Sequence, residues 1–152
     1  ALSGEARYRA LLIHAQTAQA QWEYLDSIAS LEELLTVTPN DAHLLTMAGT
    51  AYYQTGEYAR AAERLEAAHN ITGDPIVHEA LVNAYLASQR YGDAERALRA
   101  TLATHPDDAD ALHKLGWALL HLGNHQGAKT AWNDATALHH PQAATDLKTV
   151  FQ

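Results

Sequence analysis

Leu81-Val82-Asn83-Ala84-Tyr85 is the stretch on which the fold turns, because it has two counterparts elsewhere in the chain. Ala48-Gly49-Thr50-Ala51-Tyr52 precedes it by 33 residues, and Leu115-Gly116-Trp117-Ala118-Leu119 follows it by 34. Self-similarity at a period of about 20–50 residues marks a repeat architecture. The register continues beyond these pentads. Ala61 and Leu65, Ala94 and Leu98, and Ala128 and Trp132 each pair a small residue with a large apolar one four positions on. Between the two halves of each unit lies a turn: Thr55-Gly56-Glu57-Tyr58, Gln89-Arg90-Tyr91-Gly92 and Leu122-Gly123-Asn124-His125. Each unit closes on a breaker: Pro39, Gly73 with Pro75, Pro106 and Pro141.

Each half runs about 12–15 residues with apolar positions at i, i+3, i+4 and i+7, the period of an amphipathic helix. Small residues (Gly49, Ala61, Ala94, Gly116, Ala128) let two antiparallel helices approach. Large ones (Tyr52, Leu65, Tyr85, Leu98, Trp132) fill the space beside them. Asn40, Asp41, Asp74, Asp107 and Asp108 follow or flank the breakers and are candidate caps for the next helix. No segment shows the period-two alternation of a strand. One helical hairpin cannot bury its apolar face alone, so the units must stack.

These residues resemble the tetratricopeptide repeat, whose pattern over 34 residues places Leu-Gly, Tyr, Ala, a large aromatic and Pro in this order. The resemblance covers nearly the whole chain as units at 8–41, 42–74, 75–108 and 109–142, with a closing amphipathic helix at 143–152. The second, third and fourth units carry it best. In the first, Ala15 stands for Gly, Ala18 for Tyr and Ser27 for Ala, while Leu31 and Pro39 fit; terminal repeats are often atypical. In the third, Val82 takes the Gly place and His78 that of a large apolar residue. The resemblance implies one all-α domain over 1–152, a right-handed α-α superhelix of about four helix-turn-helix units. Leu147, Val150 and Phe151 of the closing helix are expected to cover its open end.

The resemblance also implies a site. First helices of successive repeats line a concave groove in this family, and carrying the positions over gives a candidate partner-binding set. Met47, Thr50 and Tyr53 come from the second unit, Asn83 and Leu86 from the third, and His113, Trp117, Leu120 and His121 from the fourth. The carboxylate clamp of chaperone-binding members needs cationic and amide side chains, where this chain has Leu12, Gln16, Met47, Ile76 and Ala80. The asparagine ladder of the sugar-transferase repeats is represented by Asn83 alone, elsewhere in its helix. An apolar floor with imidazole edges suits an apolar or amphipathic segment of another protein.

Composition narrows the alternatives. A net charge of −8 disfavours nucleic acid, whose phosphates require a Lys/Arg surplus, and anionic membrane surfaces. Protonating all 10 histidines would carry the charge to +2, although scattered surface histidines are the simpler reading. With no cysteine there is no disulfide, thiolate metal site or cysteine nucleophile. No apolar run reaches the roughly 18 residues of a membrane span. The chain opens on Ala1, as expected of a processed protein or a piece of a longer one, so cytoplasm and bacterial periplasm are both compatible. The Ala, His and Gln bias fits a bacterial source.

No catalytic constellation stands out. His121 and His125 have metal-site spacing but straddle a turn, and His139-His140 diverge at a helix end. Glu32-Glu33 and Asp107-Asp108 read as caps and solvated surface. The Arg60, Glu63 and Arg64 cluster and the Glu95–Arg99 pair read as ion pairs on helix surfaces. There is no nucleophile elbow or phosphate loop. The sequence therefore points to a non-enzymatic, cofactor-free adaptor or chaperone-like module that binds protein. A self-assembling structural protein, such as a homodimer, or a regulatory domain excised from a larger protein are the other classes.

Overall fold

A computed structural model describes residues 3–152. Among the described residues it contains nine α-helices and no strand. The chain divides into two compact units, one ending at Ser88 and one beginning at Gln89.

The first unit holds α1 (Gly4–Ala20), α2 (Tyr24–Val37), α3 (Ala42–Gln54), α4 (Tyr58–Thr72) and α5 (Pro75–Ala87), each packed on the next. Helix starts follow the capping chemistry. The Asp41 carboxylate accepts from the backbone N–H of His43 and Leu44, and Asp74 accepts from Ile76 with Pro75 at the first helical position. Ser3 caps α1. α4 ends on Gly73 in the left-handed conformation, at φ 62°. Ala15, Leu31, Leu34, Ala48, Ala61, Leu65 and Ala68 form the buried seam, all at most 1% exposed. A Cβ on Gly49 would lie 2.6 Å from Leu65 Cγ, so a smaller residue at 49 is what admits the large one at 65. Burying each such leucine stabilises by about 1.5–3 kcal/mol.

A polar contact laces the same unit. Glu32 on α2 accepts from the Tyr52 hydroxyl at 3.1 Å and from Arg64 Nε and Nη2 at 2.9 and 2.7 Å, so three helices share one carboxylate. Arg64 thus reaches across to α2 rather than pairing along its own helix, and Glu32 is a bridge rather than a solvated end.

The second unit holds α6 (Tyr91–Thr104), α7 (Ala109–His121), α8 (His125–Ala137) and α9 (Ala143–Phe151), again packed in sequence. Asp108 caps α7 through Ala111 N–H, and Asn124 caps α8 through Gly127 N–H. Asn40 and Asp107, the other candidate caps, leave that role to their neighbours Asp41 and Asp108. Trp132 is 0% exposed and donates Nε1–H to the carbonyl of His113 at 2.9 Å. A Cβ on Gly116 would fall inside its indole. In α9, Phe151 meets Trp132 edge-on with ring centroids 6.0 Å apart and Leu147 is half-buried, while Val150 faces outward. Only part of the expected covering face is used.

Backbone conformation repeats along with the sequence. Trp22, Gly56, Gln89 and Gly123 all have positive φ, at 65°, 83°, 61° and 80°, and lie 34, 33 and 34 residues apart. At three of them the first helix ends in the same motif: Glu23 N–H reaches Ala18 O, Glu57 reaches Tyr52 O, and Asn124 reaches Leu119 O.

Candidate functional site

The nine candidate residues fall on α3 and α5 of the first unit and on α7 of the second. They are not equally presented. On α3, Met47 is only 9% exposed and its carbonyl accepts from Gln19 Nε2 at 2.8 Å. Its side chain is buried rather than open on a groove floor, and the bond from Gln19 on α1 is to its backbone. Thr50, one turn on, is exposed. Tyr53 is half-buried and meets Tyr58 edge-on at 5.2 Å. Asn83 and Leu86 on α5 are half-buried.

On α7, His113 is likewise enclosed at 9% exposure. Its Nε2 lies 2.6 Å from Asp146 Oδ2 of α9, and its ring stacks on His140 at 4.1 Å. The closing helix therefore covers His113, which is why it is not available as a groove edge. Trp117 is half-buried, edge-on to Trp132 at 5.1 Å and near His121 at 6.2 Å. Leu120 is half-buried and His121 is exposed, its ring parallel to Tyr91 at 4.3 Å and 4°. Tyr91, His121, Trp117, Trp132 and Phe151 thus form a continuous run of ring contacts through the second unit. The run is inward at Trp132 and outward at His121, with half-buried Trp117 between them.

Charges gather beside this run. Lys114 Nζ is 2.7 Å from Asp110 Oδ2, and His140 Nε2 is 3.6 Å from Asp110 Oδ1. Burial pushes the Asp110 carboxyl up, but Lys114 and then His140 outweigh it and hold the group below the usual carboxylate value. His140 is brought inward against His113 while His139 is exposed, so the two diverge as expected. His121 ends α7 and His125 begins α8. Among the described residues no three His, Asp or Glu side chains converge as a metal site would require.

Three features were not singled out by sequence reasoning. One is the pairing of His113 and Asp146, which are 33 residues apart and meet only once α9 folds back. Another is the shared carboxylate of Glu32. The third is Trp22, 76% exposed at the α1–α2 turn. Trp22 was legible in principle: it stands where the second and fourth units have Gly56 and Gly123.

Comparison with known proteins agrees with the helical-repeat architecture. A family model described as tetratricopeptide repeat matches residues 12–75 and 79–146. Tetratricopeptide repeat protein 21A of Mus musculus is 34% identical over 71 residues, 47% of this chain but 5% of that protein, so this chain spans a small part of its relative's length. A crystal structure of MamA protein superposes with a TM-score of 0.77 at 19% identity, covering 93% of this chain and 79% of that one. MamA from Desulfovibrio magneticus RS-1 gives 0.76 at 20%, covering 97% and 84%. At these identities the likeness is one of fold.

Proposed function

Because the chain belongs to the tetratricopeptide repeat family, we propose that it is a protein-interaction module whose first-helix faces receive an apolar or amphipathic segment of a partner protein. Tetratricopeptide repeats generally mediate protein–protein interaction or scaffolding, and the coarse class follows from membership. The finer reading rests chiefly on one observation: Trp117 is held from behind by buried Trp132 yet remains partly open, beside half-buried Leu120 and exposed His121. A large aromatic side chain fixed before binding loses little freedom when a partner covers it, which is how binding anchors act. In the first unit, Tyr53 on α3 and Leu86 on α5 are presented in the same half-buried way. No described helix is long and apolar enough to cross a membrane. The reading is non-catalytic and requires no cofactor.

The test is affinity capture with wild type beside Trp117→Ala and Tyr53→Ala, with each variant's helicity checked by circular dichroism. Loss of a truncated anchor typically costs about 2 kcal/mol or more, roughly thirtyfold in affinity. Retention of the same partner by both folded variants would remove these faces from the account.

A further inference from the structure

The turn between α1 and α2 carries a surface that the repeat fold does not need. Trp22 and Leu25 are 76% and 70% exposed, side by side with Glu23 and Asp26. Trp22, Glu23, Tyr24, Leu25 and Asp26 line an open cleft of about 480 Å³ together with Gln54 and Thr55 at the end of α3. Trp22 meets Tyr24 edge-on at 6.1 Å, which leaves indole surface open to the cleft. Glu23 stands at the α2 cap position without a side-chain capping bond, and among the described residues neither it nor Asp26 forms an ion pair.

Trp22 holds φ 65°, where Gly56 and Gly123 occupy the equivalent turns. A bulky side chain gains nothing for folding at a left-handed position that glycine fills without strain. Its exposure shows that core packing does not account for it either. The surrounding charge then decides what could cover it. The first unit has four arginines and no lysine against eleven Asp and Glu, which is −7 of the chain's −8. All four arginines are already engaged, in the pairs Arg7–Glu33, Arg9–Glu5, Arg60–Glu57 and Arg64–Glu32. None of these arginines pairs with Glu23 or Asp26, so the cleft's two carboxylates are open to a cation from a partner.

We propose that this cleft binds a cationic side chain, arginine or lysine, carried on an apolar-flanked segment of a partner protein. The cation lies over the Trp22 ring and is neutralised by the Glu23 and Asp26 carboxylates, while Leu25 takes the adjoining apolar residue. The site is separate from the first-helix faces, so the two can succeed or fail independently.

The test uses ¹⁵N-labelled protein and a blocked hexapeptide of alternating leucine and arginine, at low ionic strength. The three tryptophans give three indole N–H resonances, and the one lost in Trp22→Gly belongs to Trp22. The expected result is a shift of that resonance on titration, with no response to the leucine–glutamate counterpart. Trp22→Gly and the double variant Glu23→Gln/Asp26→Asn should each weaken binding about tenfold or more. Glu63→Gln, which removes an exposed charge on α4, should change it less than about twofold. The thermal midpoint of Trp22→Gly should stay at or above that of wild type, because relief of a left-handed tryptophan leaves the fold unharmed. The proposal is overturned if the peptide does not bind, if Trp22→Gly binds as wild type does, or if Glu63→Gln weakens binding as much as the double variant. It is also overturned if spermine shifts the Trp22 resonance as effectively as the peptide, since bare charge would then suffice.

Discussion

Gly116 and Gly49 occupy the same place in their repeats but face different neighbours. At Gly116 a Cβ would enter the Trp132 indole, which is buried and pinned by its hydrogen bond to His113 O. At Gly49 it would meet the branch of Leu65. A leucine can change rotamer, whereas an indole fixed at one edge cannot move without losing that bond. Gly116→Ala should therefore cost about 2–3 kcal/mol and Gly49→Ala less, as read from urea midpoints. Equal costs would mean that Trp132 is less constrained than its contacts indicate. Asp93 makes a second residue-scale prediction. Burial pushes its carboxyl up, but hydrogen bonds from Arg90 and Arg96 outweigh this and lower it overall. A carboxylate depressed in the folded state stabilises at neutral pH, and that stabilisation is lost as pH falls from the ordinary carboxylate range toward the folded value. Asp93→Asn should thus destabilise at pH 7 and narrow the gap between the stabilities at pH 7 and about pH 3. An unchanged gap would contradict the pairing.

The closing helix shows how an element depends on its neighbours. α9 has nine residues, too few to be stable in isolation, and no side-chain cap at its start. Three contacts hold it: Ala143 is fully buried, Phe151 sits on Trp132, and Asp146 bonds His113. Asp146→Ala should raise amide exchange across 143–151 while α7 and α8 keep their protection. Protection that stays the same would assign α9's docking to the apolar contacts alone. Helix existence and register are legible in the sequence because each pair of helices needs one small and one large residue at fixed separation, as with Gly116 and Trp132. Side-chain destinations are less so. Met47 and His113 share the apolar or aromatic character of groove residues but are buried, His113 against Asp146 of α9, a contact between elements that periodicity does not encode. His139 takes a positive φ of 63° just after α8, and His140 next to it lies against His113.

Across the whole molecule the charge is unevenly placed. The first unit carries nearly all of the net negative charge, while the second carries six of the ten histidines and the aromatic run. Acidity and repeat identity can be read without coordinates, because they follow from composition and spacing. Which large side chains remain open cannot, because that depends on which faces neighbouring helices cover. The central claim is that partner protein lies on the first-helix faces. The most direct measurement places a photo-crosslinking residue at Leu120 on α7, and separately at exposed Lys129 on α8, and identifies the covalent products by mass spectrometry. The account predicts a defined partner protein joined through position 120 and absent from position 129. Equal capture at both positions, or capture at 129 alone, would contradict it.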